Sequence, residues 1–198
     1  EPAALVAQVQ AVLPAGIEVD LDAPYKAMFG YKAKNYALLT HEGSVSLTGA
    51  ALKSRGLEPF QRRYIHELVT LLLTGQAHAA DDLLARYRKA LAEHALPLAD
   101  LAKREVLSTP PKVYAEELLQ GGRRSAAYEL VLKAPREYRQ GDTVVFYVTG
   151  DRKNVSVTEA AKLLSDATGG VRDENVPYYL DKLEKLHGKF AEFLPSVA

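Results

Sequence analysis

The residues between Tyr25 and Tyr36 have the types and spacing for holding a polyanion. The run Tyr25-Lys26-Ala27-Met28-Phe29-Gly30-Tyr31-Lys32-Ala33-Lys34-Asn35-Tyr36 carries three lysines among aromatic and small residues, and no acid, in a chain whose formal charge is zero. Side chains of extended backbone alternate between faces. Lys32 and Lys34 are therefore expected on one face, two ammonium groups projecting together from a basic, aromatic hairpin. A polyanion suits such a face; the ordinary alternative is a solvated strand. Just upstream, Asp20 and Asp22 fall on the polar side of an expected strand, where a carboxylate could touch a divalent cation, although paired acids on an edge strand are otherwise simply solvated.

Other chemistry is mostly excluded. His66-Glu67 begins the zinc-protease helix pattern, but the second histidine would fall at position 70, which is Thr70. His41, His78, His94 and His187 have no paired spacing with carboxylates and read as surface histidines. Gly121-Gly122 and Gly169-Gly170 lack the strand-before, helix-after setting of a phosphate loop and read as turns or caps. The chain has no cysteine, so disulfides and thiolate metal sites are out. No apolar stretch is long enough to cross a bilayer, so a cytoplasmic protein without a membrane partner is expected. Without a secretory route the Asn154-Val155-Ser156 pattern carries no meaning. The opening Glu1-Pro2-Ala3-Ala4-Leu5 has neither a basic leader nor an initiator methionine, as expected of a piece of a longer chain.

The elements that must position the basic run follow from periodicity. Leu5, Val6, Val9, Val12 and Leu13 recur at helical spacing and stop at Pro14 and Gly16. Ile17 to Asp22 alternates, Tyr25 to Phe29 and Tyr36 to Leu39 are β-rich, and Glu42-Gly43 turns into Ser44 to Thr48, which predicts an antiparallel meander of about four strands. From Leu57 the pattern is helical: Phe60, Ile65, Leu68, Val69, Leu71, Leu72 and Leu73 lead to Gly75, and a second helix spans roughly Ala79 to Ala95. A third opens at Thr109-Pro110-Pro111, a strand runs from Val144 to Val148, and a last helix starts near Val176. The composition turns from β-rich to mostly α near Gly56, the expected domain boundary: residues 1–56 before it and 57–198 after it. The fold class is α+β, a small antiparallel meander followed by a mainly helical part with a short β element.

Charge is balanced overall, 25 basic against 25 acidic residues, but clustered locally. Lys53, Arg55, Arg62 and Arg63 oppose only Glu58, and Arg123, Arg124, Lys133, Arg136 and Arg139 form a looser second group. A protein that grips a nucleic-acid backbone can be neutral if its acids stay off the gripping face.

In order along the chain, these pieces resemble one family. Asp20-Leu21-Asp22-Ala23-Pro24-Tyr25-Lys26, Phe29, Lys32-Ala33-Lys34-Asn35-Tyr36-Ala37 and Glu42-Gly43 resemble the last palm segment of family B DNA polymerases. Gly49 to Leu57, with Arg55, looks like that family's palm-to-thumb junction. Gly141-Asp142-Thr143-Val144 through Tyr147-Val148 is similar to its late thumb turn and strand, and Pro177-Tyr178-Tyr179-Leu180 to the tyrosine pair of its last helix. Together they cover nearly the whole chain, from about Glu1 to Leu194. No single motif is specific; their collinearity is.

The resemblance implies a C-terminal piece of a DNA-directed DNA polymerase, a nucleotidyltransferase, comprising the end of the palm (1–56) and the thumb (57–198). Its partners would be primer-template duplex DNA and the rest of the polymerase chain. Lys34 and Tyr36 would contact the primer strand and minor groove, where acceptors are shared by all base pairs, with Lys32 a further DNA-binding cation, and Arg55, Arg62, Arg63, Arg123 and Arg124 would meet phosphates. Asp22 would be an auxiliary acid near the polymerase metal, Mg in the whole enzyme. The chain departs from the family at Ala33 and Asn35, where lysines are common, at Ser54-Arg55-Gly56 and at Asn175, and it lacks the histidine that often stands near Ser125. The palm aspartates of the two-metal mechanism are absent, so this piece is expected to hold DNA, bind no cofactor itself and catalyse nothing. Two alternatives stay open: a non-catalytic nucleic-acid-binding module with a thumb-like fold, and a helical interaction module.

Overall fold

The computed structural model of the chain describes residues 2–54 and 56–195. In chain order the elements are α1 (Pro2–Val12), β1 (Ala27–Lys32), β2 (Asn35–Leu39), β3 (Val45–Thr48), α2 (Ala50–Lys53), α3 (Pro59–Leu73), α4 (Ala80–Ala92) and α5 (Leu98–Leu101). They continue as β4 (Lys103–Val106), α6 (Pro111–Leu119), α7 (Ala126–Lys133), β5 (Thr143–Val148), α8 (Val157–Ala160), β6 (Ala161–Leu163) and α9 (Val176–Gly188). The fold is α+β, with two three-stranded antiparallel sheets in the orders β1-β2-β3 and β4-β5-β6.

The first sheet has three strands where about four were expected. Residues Ile17 to Asp22 alternate in sequence yet form no strand, and Ile17 and Leu21 are 48% and 47% exposed. Alternation makes a strand only where a ladder partner and a buried face await it. Here the Gln10 side chain serves part of the backbone instead, donating to the Ile17 carbonyl (2.6 Å) and accepting from the Val19 amide (2.8 Å). The segment is tied to α1, whose Leu5 and Val12 stand in solvent.

Helix α3 is the central element. Pro59 takes its first position, where a missing N–H costs nothing. Phe60, Tyr64, Ile65, Leu68 and Val69 all fall on one face and are fully buried. That face meets Ala37, Leu39 and Leu47 of the first sheet, Leu84 and Leu91 of α4, and Tyr179, Leu183 and Leu186 of α9. Each large aliphatic or phenyl side chain among them contributes about 1.5–3 kcal/mol by leaving water. The end of the chain closes this core: Phe190 lies 5.0 Å from Tyr31, and Phe193 meets Phe29 edge-on at 4.9 Å, ring centre to ring centre. Apolar packing is therefore continuous from β1 to the residues after α9.

A second core lies around the second sheet, where Leu107, Val144, Phe146 and Leu163 pack with Tyr114 of α6 and Ala127 and Val131 of α7. β5 joins the two cores. Its Phe146 belongs to the second, while Val148 belongs to the first and donates its amide to the Tyr179 hydroxyl (2.8 Å). The edge strands β4 and β6 carried no clear sequence signal, being four and three residues long with mixed polarity.

Two histidines expected at the surface are held by partners. His94, at φ 54°, bonds Glu174 (2.8 Å), and Arg172 donates to the carbonyls of His94 and Leu96 and to Glu174. His187 Nδ1 bonds the buried Tyr64 hydroxyl (2.6 Å), and its other nitrogen faces Asp81 at 4.0 Å. Burial pushes the His187 pKa down, against the opposing pull of Asp81 and Glu184, while Arg88 adds to the depression. The folded state thus disfavours the proton relative to the unfolded chain, so this contribution is complete above about pH 6.5 and is lost as pH falls through the depressed value. Urea unfolding at pH 7.5 and 5.5 should show a drop in stability of up to about 1.4 kcal/mol per pH unit that is smaller in His187→Gln. An identical drop in both proteins would assign it elsewhere.

Candidate nucleic-acid interface

The basic hairpin forms, but not as one extended run. β1 and β2 pair from Ala27↔Leu39 to Gly30↔Tyr36, a register shift follows, and Lys32 pairs with Asn35 across the turn Ala33-Lys34. Lys34 sits in that turn at φ 62°, so Lys32 and Lys34 do not share a strand face; they flank the tip, both exposed. A bulged hairpin with its last turn residue in the left-handed region is a common way to close such a pair. Lys32 Nζ lies 5.2 Å from the Tyr31 ring, a cation over an aromatic face.

The turn is held from below. Asn35 donates to the Ala33 carbonyl and accepts from the Ala51 amide, both at 2.8 Å, so one side chain closes the turn and caps the start of α2. Gly49, at φ 97°, lies against it: a Cβ there would come within 2.3 Å of both the Lys34 carbonyl and Asn35 Oδ1. Only glycine fits.

Tyr36 lies opposite Gly30 on one side and Thr48 on the other, and Ala37 and Leu39 next to it point into the core. Opposed residues of antiparallel strands share a face, so Met28, Gly30, Tyr36, Leu38, Ser46 and Thr48 form the outer side of the sheet. It is low in relief, since the neighbours directly opposite Tyr36 are a glycine and a threonine. Asp22 and Tyr25 stand beside it: the Tyr25 hydroxyl reaches Asp22 at 3.4 Å, and the Asp22 charge, with a lesser influence from Tyr36, holds the Tyr25 phenol above its ordinary pKa.

The expected phosphate contacts divide by their neighbours. Lys32, Lys34, Arg62 and Arg123 make no ion pair among the described residues, whereas Arg63 is bonded to Asp100 (2.7 Å) and Arg124 to Glu129 (3.0 Å) and Glu159 (3.3 Å). Those bonds raise the affinity of both guanidinium groups for their protons and draw the Glu129 carboxyl below its usual range. Lys32 and Tyr36 stand in the first sheet and Lys34 in the turn at its end, with Asp22 nearby. Arg62 and Arg63 are consecutive on α3, about 100° apart around it, and Arg123 and Arg124 are exposed residues just before α7. Arg55 lies outside the described residues.

A lysine row escaped the sequence reading. Lys182 and Lys185 of α9 and Lys189, the residue after it, line a hollow of about 210 Å³ with Gly56, Leu57 and Gln61. Their spacing of three and four is that of one helix face, a signal present in the sequence. Lys182 bonds the buried Glu58 and Lys185 bonds Asp181 (2.6 Å), while Lys189 has no ion pair among the described residues.

Asp22 is matched with a phenol rather than with a second carboxylate, and among the described residues no three acidic or histidine side chains converge.

Two small antiparallel sheets, a helical layer against the first and a basic turn at one sheet end define a mixed α+β fold. The whole of it is similar to part of the family B DNA polymerase from the hyperthermophilic archaeon Pyrobaculum calidifontis, with a TM-score of 0.73, 21% identity, and coverage of 100% of this chain and 25% of that one. The chain thus spans a quarter of the length of the polymerase it matches, and at this identity the likeness is one of fold. No family model matches the chain, and no curated protein does. No helix of the described residues is long and apolar enough to cross a membrane.

Proposed function

We propose that this chain is the end of the palm (1–56) and the thumb (57–198) of a family B DNA polymerase, and that it holds primer-template duplex without sequence preference. The observation that carries this is the low-relief outer face of the first sheet, with Tyr36 at its centre and unpaired Lys32 and Lys34 at its end, in a fold similar over its full length to part of such a polymerase. A flat face with one phenol suits the minor groove, whose acceptors are common to all base pairs. The cations at its edge suit the flanking phosphates. Arg62 and Arg123 would extend the phosphate contacts, as would Arg55; Arg63 and Arg124 would do so only by loosening carboxylates already bonded to them. Nucleotide addition and its Mg belong, on this proposal, to the rest of the polymerase chain, with Asp22 an auxiliary acid beside it.

The test is fluorescence anisotropy with a labelled primer-template duplex. If about four phosphates are neutralised, raising salt from 50 to 200 mM should weaken binding on the order of 100-fold. Lys34→Ala should weaken it roughly three- to tenfold, equally for duplexes of unrelated sequence, and lower the salt slope by about one. Salt-independent binding, or an unchanged affinity in Lys34→Ala, overturns the assignment.

A further inference from the structure

At the end of the α6–α7 hairpin away from Arg124 lies a hollow of about 590 Å³ that the duplex contacts leave unused. Half of its lining is apolar: Pro110, Pro111, Val131, Leu132, Ala134 and Pro135. Its rim is basic: Lys112, Arg136 and Arg139 stand around it with Glu137 as the one acid. None of these three cations makes an ion pair among the described residues, whereas Arg63, Arg86, Arg88, Arg124 and Arg172 are all paired with carboxylates. Leu132 is 45% exposed at the mouth, and the Arg136 guanidinium lies 4.3 Å from the Tyr138 ring centre, which fixes its charge at the edge.

Hydrogen bonds tie the loop that forms the hollow to the second sheet. Gln140 donates to the Ser108 carbonyl (2.8 Å), the Arg139 amide donates to Asp142 (2.9 Å), the Gly141 amide donates to the Leu107 carbonyl (2.8 Å), and the Leu107 amide donates to the Asp142 carbonyl (2.9 Å). Three prolines limit the remaining backbone. Little ordering would be left to do on binding.

We infer that this hollow binds an acidic peptide segment of a partner protein, with one apolar side chain seated on the proline-leucine lining and flanking carboxylates on Lys112, Arg136 and Arg139. Charge complementarity selects acids, and the apolar lining selects a peptide over a nucleic-acid backbone, whose phosphates and sugars offer nothing to cover it. Bidentate pairing of the two arginines with carboxylates would set the orientation. Arg123 and Arg124 precede α7, about 12 Å away along its eight residues, so the hollow is separate from the proposed duplex contacts.

The test uses three fluorescein-labelled probes of equal charge: twelve-residue peptides of Asp and Glu around a central Leu-Phe pair, the same peptides with Ser-Ser at the centre, and oligothymidylate. The Leu-Phe peptides should bind with a Kd of order 10 to 100 µM and at least tenfold more tightly than the Ser-Ser peptides. Arg136→Glu with Arg139→Glu, and separately Leu132→Glu, should each weaken binding at least tenfold, with duplex affinity and thermal unfolding unchanged. The altered residues are exposed, so the fold tolerates them. Equal binding of both peptide sets, tighter binding of oligothymidylate, no binding at millimolar concentration, or indifference to Leu132→Glu would each overturn the proposal.

Discussion

Lys182→Ala is expected to lower the unfolding free energy by about 3–5 kcal/mol, the usual cost of leaving one member of a buried ion pair without its partner. Glu58 is 1% exposed and its bond to Lys182 is its one side-chain ion pair; its second oxygen, Oε2, has no partner among the described residues. Removing the ammonium would strand a full charge at the start of α3, the helix on which the first core is built. For a chain of this length the midpoint of thermal unfolding should fall by roughly 10 °C. The double variant Glu58→Gln with Lys182→Met should recover most of the loss, because replacing both charges removes the need for the pair. If Lys182→Ala unfolds within about 1 kcal/mol of the parent, below the cost expected for a stranded charge, the pair does not anchor α9 to α3.

Gly49→Ala should damage the fold and, on the proposed function, duplex binding as well. The residue sits at φ 97°, where a side chain costs on the order of 1–3 kcal/mol, and the added methyl would also meet the Lys34 carbonyl and Asn35 Oδ1 at 2.3 Å. The backbone on one side must move, and the easier to move is the exposed turn that carries Lys34. Denaturant unfolding should show a loss of about 3 kcal/mol or more. Duplex affinity of the folded fraction, measured well below the unfolding transition, should fall at least as far as in Lys34→Ala, since the whole turn is displaced rather than one ammonium removed. Stability lost with affinity intact would show that the turn's position does not matter to the grip.

The longer helices α1, α3, α4, α6 and α9 were legible in the sequence because their signals are local and redundant, whereas α2, α7 and α8 were not read from it. Pro59 and Gly75 bracket α3, Pro111 opens α6, and the stripe from Tyr179 to Leu186 marks α9; each pairs a start or stop residue with an apolar face. The strand from Val144 to Val148 was legible for the same reason, an apolar run between Gly141 and Gly150. Ile17 to Asp22 misled because alternation alone says nothing about whether a neighbouring strand is within reach. β4 and β6 were missed because three- and four-residue edge strands take their conformation from the strand they pair with.

The candidate site divides in the same way. Composition by itself determined that the segment from Tyr25 to Tyr36 is a basic, aromatic, acid-free hairpin, since hydrophobic spacing and the lack of acids are properties of the chain. Only the tertiary structure decided which cations are free. Arg63 meets Asp100 across 37 residues and Lys182 meets Glu58 across 124, and no local pattern encodes encounters at that separation. Whether an arginine is available to a ligand or already held by a carboxylate depends on how the helices pack, because side-chain charges are neutralised in space, by whichever acid the fold brings within reach.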